Sequence, residues 1–130
     1  MGNANEDLVK KGYDAFGKGD MDTLRSIMAA DVVHSVAGNN AISGDHKGID
    51  NVLAYYGKMF EMTGGSLSAD LKSATAKGDD HVVSVHQAKG TRGDKSIDVE
   101  ESLDFTFKDG KIARIDETSA DQAAEDAFWV

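Results

Sequence analysis

The sequence predicts one α+β domain, with helices first and an antiparallel β-sheet after them. The chain has 130 residues, which is enough for one substantial core. Apolar residues recur every three or four positions up to residue 63, as in amphipathic helices. From residue 67 they alternate with polar residues, as in half-buried strands. This order is typical of a sheet that packs on its helices. We therefore treat residues 1–130 as a single domain.

Helical spacing predicts three helices before the sheet. The first covers residues 6–16, and a second short helix follows the glycines at positions 17 and 19. Asp20 stands where a helix N-cap is expected, because its carboxylate can accept from the first free amides. A third helix is predicted over residues 49–63, where Gly64 and Gly65 end it.

Five strands and a short tail account for the rest of the chain. A β-branched run after Asp31 predicts the first strand, and residues 38–45 are rich in turn formers and predict a loop. The Asp109-Gly110 pair predicts a tight hairpin between the last two strands, because such turns need positive φ. The tail, 121–130, is expected to form one or two amphipathic turns. The other strands are predicted over residues 67–77, 81–89, 96–108 and 112–118.

Composition limits the classes of partner and cofactor. The net charge is −9, which argues against nucleic acid and anionic membranes as partners. No run approaches a membrane span, and the first residues lack the apolar core of a signal peptide, so we expect a cytoplasmic protein. Cysteine is absent, and the four histidines show neither HxH nor HExxH spacing. No phosphate-binding glycine loop or nucleophile elbow occurs, so we expect neither metal nor cofactor.

Short motifs along the chain, from Leu8 to Trp129, resemble one known family. They are AFxxGDMD from Ala15, DVV from Asp31, SGDxxG from Ser43, FxDGKI from Phe107 and DQAAxDAFW from Asp121. In this order they are similar to SnoaL-like proteins of the nuclear transport factor 2-like superfamily, with ketosteroid isomerases and polyketide cyclases. The resemblance implies a cystatin-like cone, in which a curved, largely antiparallel sheet wraps around the N-terminal helices. It also implies a small, mostly apolar, ring-containing ligand in the cone and a homodimer through the outer face of the sheet.

The resemblance also identifies where isomerase chemistry would be expected. Ketosteroid isomerases place a tyrosine on the first helix, a carboxylate base on the first strand and a protonated aspartate on a later strand. The corresponding positions here hold Gly12, Val36 and Leu103. Because all three chemical groups are missing there, we do not expect isomerisation by that mechanism.

His34 and a last-strand carboxylate are the candidate catalytic residues. Alternation places Val32, His34 and Val36 on the face that lines the cone. A histidine oriented by a carboxylate can exchange a proton near neutral pH. Glu117 shares its parity with Ile115 and with Ala113, which favours Glu117 as the inward acid and Asp116 as the outward one. A shift of one residue in register would exchange the two, so both remain candidates.

Candidate ligand-binding residues follow from the apolar stripes and the strand faces. Tyr56 is predicted to face inward, and its neighbour Tyr55 is then expected to face away. Glu101 is expected near the mouth of the cone. The facing of His86 is open, since flanking valines support either side, and an outward His86 would lie at the dimer face. The full candidate set is Gly12, Phe16, Val36, Val52, Tyr56, Met59, Phe60, Glu101, Leu103 and Phe105.

Two functional hypotheses follow from these residues. The first is an acid–base isomerase, cyclase or hydrolase for an apolar ring-containing substrate, using a histidine–carboxylate pair. The second is a non-catalytic ligand-binding or accessory module with the same cone. The pKa of His34 discriminates between them, because a strongly shifted value favours a working site, whereas a wholly apolar cone with His34 capped by a backbone carbonyl favours binding alone.

Overall fold

The computed structural model describes residues 3–130 and contains four helices and six strands. Their order is α1 (Ala4–Lys18), α2 (Met21–Ile27), β1 (Met28–Val36), β2 (Gly44–Lys47), α3 (Ile49–Met62), β3 (Ser68–Ala76), β4 (His81–Arg92), β5 (Lys95–Lys108), β6 (Lys111–Ser119) and α4 (Gln122–Phe128). The predicted α+β class is confirmed. No helix in residues 3–130 is long and apolar enough to cross a membrane.

Local capping chemistry fixes the helix boundaries. The Asn3 side chain accepts from two amides at the start of α1, and Gly19 ends that helix with a left-handed φ of 66°. Asp20 accepts from the Thr23 amide and begins α2, as the sequence predicts. The chain then enters β1 at Met28, four residues before the predicted start, because Met28 already pairs with Ile112 of β6.

The sheet is mixed, with strand order β2-β1-β6-β5-β4-β3. β1 runs parallel to β6, and every other neighbouring pair is antiparallel. The short edge strand β2 lies partly in the predicted loop and pairs with β1, where His46 faces His34. Its four residues, GDHK, show no apolar alternation, so no pattern in the chain predicts a strand there.

Alternation along β4 and β6 defines the concave face of the sheet. On β4, Val82, Ser84 and His86 are buried, while the residues between them are partly exposed. His86 therefore faces inward, and a place for it at an outer dimer face is wrong. On β6, the register shifts between Thr106 and Phe107 of the partner strand. Because of this bulge, Ile112 and not Ala113 shares the inner face with Ile115.

The tight turn of the β5–β6 hairpin contains two residues with positive φ. Asp109 and Gly110 have φ values of 54° and 76°, and Lys108 pairs with Lys111 on either side of them. We expect Gly110→Ala to lower the free energy of unfolding by about 1 kcal/mol, because an alanine Cβ is strained at positive φ. Urea denaturation measures the change.

Gly57→Ala is the matched control. Gly57 lies within α3, and beyond its chain neighbours and the surrounding helix backbone no atom of residues 3–130 lies within 4 Å of a Cβ built there. Alanine loses less backbone entropy than glycine in a helix, so this variant should raise the free energy of unfolding by about 0.5–1 kcal/mol. Equal effects at both positions would contradict the turn geometry.

Candidate functional site

A largely apolar cavity lies between the concave face of the sheet and the helices. α1 and α3 contribute one wall, β1 and β4–β6 the other, and α4 contributes Glu125, with Trp129 directly after it. About 90 Å³ of the cavity is open to the centre of a water-sized sphere, several times the ~10–15 Å³ that one water needs. The space therefore suits a small organic molecule.

His34 and Glu117 form a hydrogen-bonded pair inside this cavity. His34 Nε2 lies 2.8 Å from Glu117 Oε1, and His34 Nδ1 lies 2.9 Å from the Tyr56 hydroxyl. His34 is buried and Glu117 nearly so, with side-chain exposures of 4% and 12%. The parallel β1–β6 register explains the contact, because His34 pairs with Ile115 and Glu117 lies two residues further along the same face.

The same three side chains can pass a proton in either direction. With Glu117 ionised, His34 Nε2–H donates to the carboxylate and Tyr56 O–H donates to Nδ1. With Glu117 protonated, its O–H donates to Nε2, and Nδ1–H donates to the Tyr56 oxygen. Both arrangements satisfy every group, so the pair can work as an acid or as a base.

A second histidine–carboxylate pair lies beside the first. His86 Nε2 is 2.7 Å from Glu101 Oε1, since the two residues face each other across β4 and β5. His86 Nδ1 is 2.5 Å from the Tyr13 hydroxyl, which is also 2.7 Å from Ser84 Oγ. This chain of bonds brings α1 into the polar part of the cavity.

Three carboxyl groups meet between the two pairs. One oxygen from each of Glu101, Glu117 and Glu125 lies within 4.8 Å of the others. Glu101 shares side-chain hydrogen bonds with both Glu117 and Glu125, and Trp129 Nε1 donates to Glu125 Oε1 at 3.3 Å. Three negative charges so close together in a dry site repel strongly, so the carboxylate cluster (Glu101, Glu117 and Glu125) holds protons near neutral pH.

Burial sets the direction of every pKa shift in the cavity. Loss of water raises the pKa of Glu101 to about 8, that of Glu125 to about 8 and that of Glu117 to about 7. Burial also lowers the pKa of both His34 and His86, which keeps the imidazoles neutral. At neutral pH the cavity therefore carries at most about one negative charge, although three carboxyl groups and two imidazoles meet there.

Tyr55 carries a buried hydroxyl that has no hydrogen-bond partner within residues 3–130. Its ring stacks on His46 at 4.1 Å and meets His34 edge-on at 5.1 Å. Both Tyr55 and Tyr56 line the cavity, so the expectation that only one of them faces inward is wrong. Neighbours on a helix are about 100° apart, and the apolar stripe of α3 is wide enough to include both. A buried donor of this kind is expected to bind water or a ligand.

The structure places most, but not all, of the predicted site residues in the cavity. Val36 lines a small separate crevice near α4, Val52 lies in the core, and Phe60 packs against Phe16 with ring centroids 4.8 Å apart. Glu101 is inside and buried, not at the mouth. The predicted residues that line the cavity are Gly12, Phe16, His34, Tyr56, Met59, Glu101, Leu103, Phe105 and Glu117.

Asp116 lies outside the cavity. Its carboxylate accepts from Arg114 Nε at 3.0 Å, and about half of both side chains is exposed. The sequence left open which of the two acids faces inward. In the structure Glu117 faces His34, and Asp116 faces away from the cavity. A catalytic role for Asp116 within the cavity is therefore wrong, because strand alternation turns it to the convex face.

Tyr13, Tyr55, His86 and Glu125 are cavity residues that the sequence reasoning missed or left open. Glu125 had a detectable signal, because it stands three and four residues before Phe128 and Trp129, on the apolar side of the tail helix. Tyr13 and the preceding Gly12 both line the cavity. A Cβ at Gly12 would lie 3.2 Å from Ile27 Cδ1, so glycine also allows α1 and α2 to pack closely.

Comparison with known proteins identifies the family. A SnoaL-like domain matches residues 9–115. The chain belongs to the SnoaL-like family. An uncharacterized protein of Mycobacterium tuberculosis is 33% identical to it over 126 residues, which make up 97% of this chain and 96% of the relative. The resemblance of the sequence motifs to SnoaL-like proteins is therefore confirmed.

Solved structures agree with this assignment. Bal32a, from a soil-derived mobile gene cassette, is 33% identical with a TM-score of 0.95, over 99% of this chain and 100% of that one. A protein of unknown function with a cystatin-like fold from Xanthomonas campestris is 32% identical with a TM-score of 0.90, over 98% of each chain. The cystatin-like, nuclear transport factor 2-like fold of this SnoaL-like chain is confirmed.

The SnoaL-like cavity also contains donors suited to a cation. The carboxylate cluster offers three oxygens, and His34 and His86 offer neutral ring nitrogens nearby. Hard divalent cations accept such oxygen ligands, and transition metals accept the imidazoles as well. No motif in the sequence indicates this cluster, because its three residues come from three separate elements, β5, β6 and α4.

Protonated carboxyls should make stability fall as pH rises. Glu101 and Glu117 have a pKa of about 8 and about 7 in the fold, against an ordinary value of 4.5. The folded state then binds more protons than the unfolded chain, so the free energy of unfolding falls as pH rises towards 8. The lowered pKa of His34 makes the free energy of unfolding rise with pH, but only below the ordinary histidine value of 6.5. We therefore expect a decline between pH 6.5 and 8.

The expected slope is on the order of 1 kcal/mol per pH unit for each proton that the cluster holds. Urea denaturation at several pH values measures it. Glu101→Gln should flatten the slope, whereas Glu100→Gln, at the exposed neighbouring position on β5, should leave it unchanged. A free energy that stays level or rises over this range in the unmodified protein would show that the cluster is ionised.

Proposed function

We propose that this SnoaL-like protein catalyses proton transfer on a small, mostly apolar, ring-containing substrate bound in the cavity. The observation that carries the proposal is the 2.8 Å hydrogen bond between His34 and Glu117 at the polar end of an apolar cavity. A histidine oriented by a carboxylate is the usual means of general acid–base catalysis.

Proton abstraction next to a carbonyl is the chemistry that these groups support best. The pair removes a proton from the carbon beside the carbonyl, and the C–H electrons move into an enolate whose charge lies on oxygen. A tyrosine hydroxyl or a protonated carboxyl of the cluster can donate a hydrogen bond to that oxygen. Return of the proton to the same or another carbon completes an isomerisation. The enolate can instead attack a second carbonyl, which closes a ring.

The cavity also supports water activation, in which the same pair removes a proton from water. The apolar lining holds the substrate, and the buried position of the pair limits access of bulk water. A non-catalytic binding role uses the same lining without turnover. The distinction rests on whether the His34–Glu117 pair moves a proton of the bound molecule.

Exchange of carbon-bound hydrogen tests the proposal directly. The probe is 2-tetralone, an apolar ring ketone, in D₂O. We expect the protein to accelerate replacement of the hydrogens beside the carbonyl by deuterium, followed by NMR. His34→Ala and Glu117→Gln should each reduce the acceleration by about 100-fold or more, because each removes one half of the pair.

Asp116→Asn is the matched control, since Asp116 neighbours Glu117 but lies on the convex face. It should retain the exchange rate. Both cavity variants should still bind the ketone, as chemical-shift changes of the Trp129 indole would report. Binding without any exchange would leave a ligand-binding module. Exchange that survives both variants would remove the pair from the mechanism.

We also infer a homodimer through the convex face of the sheet. Val83 and Val85 are only partly exposed there, beside the partly exposed Ser102, Asp104 and Thr106. Such a mixed face suits a partner sheet that offers hydroxyls and apolar contacts. Light scattering should give twice the chain mass, and Val85→Glu should shift the protein towards monomer. A monomeric mass at micromolar concentration would contradict the inference.

A further inference from the structure

We propose that the cavity prefers an organic cation, a protonated amine with an apolar body, over neutral or anionic molecules of the same shape. The inference rests on the proposed small-molecule role of the cavity and specifies the charge of its ligand. It depends on three independent features: the carboxylate cluster, the aromatic lining, and the Tyr55 hydroxyl, for which the described part of the chain offers no partner.

The cavity is lined by carboxyl groups that have no permanently charged basic partner among residues 3–130. Among residues 3–130, the lining includes three carboxyl groups but neither lysine nor arginine. Buried carboxyls in proteins are usually paired with a cation or protonated. Here His34 and His86 are the basic partners, and burial keeps both neutral. An anionic ligand would add repulsion, whereas a cation would supply the missing positive charge.

The geometry of the cluster suits an ammonium head group. One oxygen from each of Glu101, Glu117 and Glu125 lies within a space of 4.8 Å. A primary ammonium has three N–H donors and no acceptor, so it fits a site that offers acceptor oxygens from several directions. Hydrogen bonds between an ammonium and a carboxylate are among the stronger ones in proteins.

Tyr55 provides the second, independent observation. Tyr55 is one of the residues that line the same cavity, it is 97% buried, and its hydroxyl oxygen has no partner within residues 3–130. A buried hydroxyl left unpaired costs free energy, so its position indicates that a ligand or water completes it. The hydroxyl oxygen can accept from an N–H of the head group.

The aromatic lining favours an organic cation over a metal ion. Six rings line the cavity, and a ring face attracts a cation while its edge packs against hydrocarbon. A hydrated metal ion gains nothing from such a lining, whereas an amine with an apolar body uses both parts. The rings belong to Tyr13, Phe16, Tyr55, Tyr56, Phe105 and Trp129.

Binding of a cation should displace protons from the cluster. The carboxyls lose their protons as the pH rises through 7–8, and a bound ammonium stabilises the ionised form. Affinity for the cation should therefore increase with pH over this range. The other titratable groups around the cluster are Tyr13 of α1, His34 of β1, Tyr55 and Tyr56 of α3 and His86 of β4, with Asp70 and Asp116 acting from outside.

Three probes of one shape test the inference: cyclohexylmethylamine, cyclohexylmethanol and cyclohexanecarboxylate. The indole signal of Trp129 reports binding by NMR, because it is the single tryptophan and its Nε1 donates to Glu125. At pH 8 we expect the amine to bind at least tenfold more tightly than the alcohol, and the carboxylate to bind least. The amine remains protonated, since its pKa is close to the ~10.4 of lysine. At pH 6 the preference should shrink several-fold.

Variants of the carboxylate cluster test whether the charge of the ligand, and not its shape, determines the preference for the amine. Glu101→Gln and Glu125→Gln should each reduce the preference of amine over alcohol by about tenfold, with alcohol affinity changed by less than about threefold. Glu100→Gln, at an exposed position on the same strand as Glu101, is the matched control and should keep the preference. A proton released on amine binding, and not on alcohol binding, is expected in weakly buffered solution.

Several results would overturn the inference. If the alcohol binds as tightly as the amine, the cavity is a site for neutral molecules and only the charge preference fails. If none of the three probes binds, both the inference and the small-molecule role fail. Displacement of the amine by Mn²⁺ or Zn²⁺ at lower concentration, with no preference for amine over alcohol, would identify a metal site instead.

Discussion

The burial of three carboxyl groups in one cavity is the constraint on which the site depends. Isolated, a buried carboxylate is strongly unfavourable, and three of them cannot all be ionised within 4.8 Å. The fold resolves the conflict by placing His86 opposite Glu101 and His34 on the same face as Glu117. Each carboxyl thereby gains a hydrogen-bond partner, and shared protons replace charge–charge repulsion. The polar part of the cavity is one connected network.

The last helix completes this arrangement and is held from outside the cavity. Glu125 enters the cluster from α4, and Trp129 follows directly after it. Arg92, at the end of β4, donates to the carbonyls of Phe128 and Val130, and Lys95 donates to the carbonyl of Ala127. These bonds supply cations to the open C-terminal end of the helix, where carbonyls lack partners. The strand that carries His86 therefore also fixes the segment that carries Glu125.

Local signals in the sequence predict the fold better than they predict the site. Capping by Asp20 and the Asp109-Gly110 turn depend on neighbouring residues, so they are recognisable in the chain itself. His34 and Glu117 were identifiable because strand alternation and order suffice to bring them together. For Glu125 the spacing to Phe128 and Trp129 indicates only that it lies on the apolar side of the tail helix, since its contact with Glu101 depends on how the tail folds back over the sheet. The bulge near Ala113 was hidden for a similar reason, because a register shift leaves no compositional mark.

The protons of the carboxylate cluster connect the two proposed roles of the cavity, proton transfer and cation binding. A network that holds most of its protons at pH 7 can accept an apolar substrate with little buried charge, and its raised pKa values keep proton donors available for an enolate. When the network loses those protons, it becomes a set of anionic acceptors that suits a cation. A substrate with an amine near its reacting carbon would engage both states, because its charge would ionise the carboxyl that then serves as the base. The Tyr55 hydroxyl, which no described residue pairs with, fits either case, since it can donate to an enolate oxygen or accept from an ammonium.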